Sequence, residues 1–111
     1  MVKEMDEDLY VTMLYDVYKM LLTSNMQEIF ELHHYSDLSY REIGALKNIT
    51  YQAVSDNLRK TTKTLKKYED TLHCVEMKIK IKEINTLVNN SDVDIDLLKD
   101  KMKEIGEIYV W

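Results

Sequence analysis

The chain has no proline and only two glycines, Gly44 and Gly106, in 111 residues. Hairpin turns, Gly-rich phosphate loops and many-stranded sandwiches all draw on these residues, because glycine supplies positive φ and proline presets the corner of a turn. Helices are what remains, so the expected fold class is all-α. The length supports one core rather than two, which excludes a multidomain enzyme. The single cysteine, Cys74, can close no internal disulfide and supplies no multi-thiolate zinc site, as expected of a cytoplasmic protein. No apolar run approaches the length of a membrane span, and the start is acidic (Glu4, Asp6, Glu7, Asp8), so neither a signal peptide nor a membrane helix is expected.

A net charge of −5 hides an asymmetry. Residues 1–38 carry two basic and eight acidic side chains, residues 39–82 ten and five, and residues 83–111 three and seven. The summed field is acidic, which argues against indiscriminate coating of nucleic acid. Only the central segment suits a phosphate backbone, so any binding there is expected to be local and salt-sensitive.

Hydrophobic spacing divides the chain into helices. Tyr10, Met13, Leu14, Val17, Tyr18 and Leu21 lie on one face of a helix expected from about Asp6 to Leu22. Ser24 and Gln27 read as a capping box opening a second helix with Met26, Ile29, Phe30 and His33 or His34 inward, ended by Ser36 and Asp37. Ser39 and Glu42 read as another capping box, opening a short helix with Ile43 and Leu46 inward and Gly44 without a side chain. Asn48 tolerates the left-handed corner that ends this helix, Ile49 turns inward, and Thr50 caps the next. From Tyr51 toward Leu72 the fourth helix places Val54, Leu58, Thr61 and Leu65 on one side and Gln52, Ser55, Asp56, Arg59, Lys63 and Lys66 on the other. A fifth helix carries Met77, Ile81, Ile84 and Val88 despite the local alternation of Lys78 to Lys82, residues 89–92 turn, and a last helix carries Ile95, Leu98, Met102, Ile105 and Tyr109.

A short capped helix, a tight turn and a longer helix with a polar outer face form a helix-turn-helix, here Ser39 to about Lys67. Gly44 permits close approach of the helix backbones, while Ile43, Ile49, Val54 and Leu58 form the wedge between them. With Thr50 capping an outward-projecting N-terminus, Tyr51, Gln52 and Ser55 lie nearest a major groove. Gln52 can bond adenine bidentately, and Arg59, Lys60 and Lys63 track backbone phosphates. Asp56 precedes Arg59 and Lys60 by three and four residues, where it can pair with them and would repel phosphate.

The stretches Leu21-Leu22-Thr23, Leu38-Ser39-Tyr40-Arg41-Glu42-Ile43-Gly44, Gln52-Ala53-Val54-Ser55-Asp56-Asn57-Leu58-Arg59-Lys60, and Tyr68-Glu69 through Leu72-His73 resemble the YlxM family. These are small bacterial helix-turn-helix proteins, similar to the promoter-binding C-terminal region of sigma factors. The likeness covers roughly residues 12–76. It implies an all-α cytoplasmic protein with a regulatory role and a link to the signal recognition particle pathway. Many relatives carry an arginine where this chain has Tyr51, so one phosphate or guanine contact of the family pattern is missing.

Other chemistry finds no support in the sequence. Glu31 and His34 have the spacing of a di-iron helix pair, but no second pair exists. His33-His34 and His73-Cys74 are sequence neighbours, pointing about 100° apart on a helix, which suits neither a shared metal nor a Cys-His nucleophile. Cys74 reads as a half-buried small hydrophobe, and Tyr10, Met13, Tyr18 and Met26 as core rather than a stacking platform. No cofactor, metal or catalytic residue is expected. The expected organisation is a helix-turn-helix domain over residues 1–74 and a helical extension over residues 75–111. The terminal stripes either fold back as a hairpin onto the first helix or form a two-fold homodimer that would set two reader helices about one DNA turn apart. The expected function is a DNA-binding regulatory protein. The alternative is an adaptor that uses the helix-turn-helix surface for a protein, such as a component of the signal recognition particle or RNA polymerase.

Overall fold

A computed structural model describes residues 6–108. Among them it contains α1 (Glu7–Tyr18), a 3₁₀ turn (Lys19–Leu21), α2 (Ser24–His34), α3 (Tyr40–Lys47), α4 (Tyr51–Leu72), α5 (Cys74–Val88) and α6 (Ile95–Ile108). The fold is all-α, with no strand among the described residues. Tyr109, placed on the last stripe by its spacing, lies outside them. The chain divides into two compact units, with the boundary between Asp70 and Thr71.

In the first unit, α1 begins where the Asp6 carboxylate accepts from the Asp8 N–H. Its buried side is Val11, Leu14, Tyr15 and Tyr18. This corrects the expected stripe: Tyr10, Met13 and Val17 are only half-buried, and Leu21 is exposed because the 3₁₀ turn winds at three residues per turn and rotates it outward. The cap of α2 is also one residue earlier than the spacing suggests. The Thr23 hydroxyl accepts from Met26 N–H, while Gln27, instead of closing a box with Ser24, donates to the Lys19 and Leu22 carbonyls. Met26, Ile29 and Phe30 are buried as expected. Tyr15 stacks on Phe30 at 4.1 Å, and Phe30 on His34 at the same distance. Burial, then the hydrogen bond the Tyr15 hydroxyl donates to Glu31, pushes that phenol well above its ordinary pKa.

Against these helices α4 lays Val54, Leu58, Thr61 and Leu65, the four positions that helical spacing selects, and adds Glu69. The buried Glu69 carboxylate accepts from the Tyr18 hydroxyl at 2.5 Å, and Lys66 pairs with Glu7 at 2.5 Å, so α4 is fastened to α1 at two points.

In the second unit α5 and α6 run antiparallel. Lys80 meets Glu104 at 2.6 Å, Lys101 meets Glu83 at 2.8 Å, and Leu87 and Leu97 line one cleft, three pairs in consistent register. The α6 cap is Asp94, whose carboxylate accepts from Leu97 N–H at 3.1 Å. The buried face is narrower than the sequence stripes suggest: Ile105 is inside, but Ile81, Val88, Ile95 and Met102 are exposed, because ion pairs occupy part of the α5–α6 seam. Cys74 is exposed rather than half-buried, its thiol donating to the Leu72 carbonyl.

Candidate nucleic-acid interface

The site is built by three backbone devices in succession. The first starts α3. Ser39 N–H donates to the Glu42 carboxylate at 3.0 Å and Glu42 N–H to the Ser39 hydroxyl at 3.1 Å, a reciprocal capping box. The backbone N–H at Ser39, foremost, and its side chain hold the Glu42 carboxyl below its ordinary pKa.

The second device ends α3. Asn48 sits in the left-handed region at φ 57° and ψ 46°, and both its N–H and that of Ile49 donate to the Gly44 carbonyl. This bend folds the turn back over Gly44 so closely that a Cβ there would stand 2.8 Å from the Ile49 carbonyl oxygen. Gly44 therefore admits the turn and, beyond it, the start of α4, whose Tyr51 nitrogen would lie 3.7 Å from that Cβ. Ile49 does not fill the wedge: it is 37% exposed, and Leu46 is 65% exposed. The wedge is Ile43, Val54 and Leu58 packed on Ile29, with Leu32, Leu38 and Tyr40 around it. Position 47 rather than 46 turns toward α2, where the Lys47 ammonium meets Glu28 at 2.8 Å.

The third device starts α4, where the Thr50 hydroxyl accepts from Ala53 N–H at 3.0 Å. Thr50, Tyr51, Gln52, Arg59, Lys60 and Lys63 are exposed and Ser55 half-buried, so the predicted contact residues share an accessible side of the first unit. Asp56 stands among them. One of its oxygens accepts from Gln52 Nε2 at 2.9 Å and lies 3.2 Å from Arg59 Nη2. The Arg59 side chain nevertheless keeps 70% of its surface in solvent. Tyr51 leans on Tyr40, with ring centroids 5.5 Å apart.

Beside this face opens a cleft of about 390 Å³ lined by Ser55, Arg59 and Thr62 of α4, His33 and His34 of α2, and Tyr40 of α3, among others. Sequence reading could not assemble it, since its walls come from separate helices and share no local spacing. Burial, then the neighbouring His33, lowers the pKa of His34. No group of three His, Cys, Asp or Glu side chains placed to hold a metal occurs among the described residues.

A capped short helix, a left-handed corner and a second capped helix, locked by Ile43, Val54 and Leu58, define a helix-turn-helix protein. The chain matches, over residues 5–105, the family UPF0122, described as "Putative helix-turn-helix protein, YlxM / p13 like", and it belongs to that family. It is 43% identical over 91 residues to a UPF0122 protein of Ureaplasma parvum, covering 82% of this chain and 91% of the relative. A UPF0122 protein of a Thermoanaerobacter species is 33% identical over 101 residues, covering 90% of this chain and 84% of the relative. One from Fusobacterium nucleatum is 33% identical over 103 residues, covering 93% and 95%.

Proposed function

We propose that this is a non-enzymatic cytoplasmic regulatory protein that binds DNA through the outer side of α4. Thr50, Tyr51, Gln52 and Ser55 approach the major groove, and Arg59, Lys60 and Lys63 lie along the phosphates. The observation that carries this reading is the left-handed Asn48, after which the Thr50-to-Lys63 side of α4 stands in solvent. Residues 1–74 serve as the reader domain. Residues 75–111 serve as an extension that packs or joins a second copy, and a homodimer presents two reader helices to DNA.

Backbone binding by three cations makes affinity fall with salt, at about 0.9 in the log–log slope per phosphate neutralised. Arg59→Ala and Lys63→Ala should each flatten that slope by about one. A filter-binding series from low to physiological salt measures it, and absence of retention for random and genomic duplexes refutes the reading. Light scattering gives the oligomeric state, and a monomer removes the two-fold arrangement.

One observation favours a second reading. Asp56 places a carboxylate on the face and engages Arg59, which suits an adaptor whose partner is a protein of the signal recognition particle or RNA polymerase. Purification from nuclease-treated lysate separates the two: a protein partner recovered without nucleic acid supports the adaptor, and DNA alone eliminates it.

A further inference from the structure

Resting on the DNA reading above, we infer that Asp56 is a positioning residue for base recognition: it orients the Gln52 amide toward an adenine edge while its charge opposes backbone binding. Gln52, Asp56 and Arg59 follow one another at i, i+4 and i+7, within about 60° of arc on α4, so all three share one strip of the exposed side. An ionised carboxylate only accepts hydrogen bonds. The Gln52 atom 2.9 Å from Asp56 Oδ1 is therefore the amide nitrogen, and the direction of the amide is set by chemistry. Arg59 Nη2, 3.2 Å from the same oxygen, holds the carboxylate from the other side.

The Gln52 carbonyl oxygen and the second hydrogen on Nε2 remain for a ligand. Together they form an acceptor beside a donor, which matches the N6 amino group and N7 of adenine in the major groove. Guanine presents two acceptors there, O6 and N7, so an amide held in this direction sets oxygen against oxygen. A glutamine without the clamp divides between two amide orientations, of which only one pairs with adenine while either gives guanine a single donor contact, so the preference weakens. The carboxylate has an opposite effect on general affinity, because it sits among Arg59, Lys60 and Lys63 and repels the phosphates they attract. Positioning and repulsion are thus separable in variants. In Asp56→Asn the charge is gone while Arg59, which can only donate, keeps the amide oxygen rather than the nitrogen at the shared place, so Gln52 still donates there; Asp56→Ala removes both.

The test uses the full chain and a pool of duplexes with a randomised centre, sequencing the bound fraction and measuring total retention at low salt. Wild type should enrich adenine at one position. Asp56→Asn should keep that enrichment and retain about two- to fivefold more total DNA, the range for one exposed charge contact. Asp56→Ala should retain more DNA as well, but its adenine preference should fall by about twofold, the factor when half of the amides face the wrong way. Gln52→Ala should lose the preference without gaining affinity. Circular dichroism confirms that the variants keep the wild-type helicity. Enrichment of guanine, an Asp56→Ala preference equal to wild type, or loss of preference in Asp56→Asn each overturns the inference while leaving the DNA reading in place. Failure of wild type to retain any duplex overturns both.

Discussion

Gly44 provides the sharpest test of the turn. In an ordinary helix interior, replacing glycine with alanine stabilises by about 1 kcal/mol, since alanine loses less backbone freedom. At position 44 the added methyl would stand 2.8 Å from the Ile49 carbonyl oxygen, an atom of the backbone that no side-chain rotation can move. Relief requires displacing the turn by several tenths of an ångström, which loosens the Asn48 and Ile49 N–H bonds to the Gly44 carbonyl. Overpacking of this kind costs about 1–3 kcal/mol. Setting the propensity gain against this cost leaves a net loss of up to about 2 kcal/mol for Gly44→Ala, or up to about 10 °C in Tm for a domain of this size. The neighbouring Ala45 is exposed on the same helix, so Ala45→Gly meets only the propensity effect and should lose about 1 kcal/mol. The two reciprocal exchanges thus both destabilise, and urea denaturation followed by circular dichroism measures each. If Gly44→Ala proves more stable than wild type, the turn does not press on Gly44 and the account of the corner fails.

Two further perturbations act on the ends of α3. At Asn48, with φ at 57°, glycine should be tolerated within a few tenths of a kcal/mol while alanine costs about 1 kcal/mol, read as a shift in the urea midpoint; equal losses in the two variants would refute the left-handed corner. Ser39→Ala should cost about 1 kcal/mol by loss of the cap. Because the folded state holds the Glu42 carboxyl below its ordinary pKa, its contribution is complete above the unfolded value and disappears as pH falls through the lowered one. Glu42→Gln should therefore flatten part of the acid dependence of stability, and an unchanged pH profile would show that the box does not form in solution.

Legibility from sequence varied along the chain for physical reasons. In α4 the contrast between Val54, Leu58, Thr61, Leu65 and their charged neighbours is strong enough that only one rotation of the helix satisfies it, and that rotation is the one found. In α1 apolar residues cover well over half the circumference, so two stripes related by a small rotation both satisfy helical spacing; Val11 and Tyr15 go inside in place of Met13 and Leu21. Leu46 and Ile49 are hydrophobic yet exposed, because the tight corner over Gly44 leaves them outside. The caps of α3 and α4 follow from Ser39 and Thr50, each three residues from its partner, whereas Thr23 and Ser24 offer α2 two adjacent hydroxyls between which that spacing does not choose. The cleft by His33, Tyr40 and Arg59 depends on tertiary placement, which no local pattern encodes.

The helix α4 is a single span of 22 residues, roughly 33 Å long, exposed along its first turns and bolted through Lys66 and Glu69 to α1 farther along. Val54 and Leu58 seat its first half on Ile29 and Ile43, so the helix is anchored along both halves and the exposed side around Gln52 rests on a fixed mount rather than a hinge.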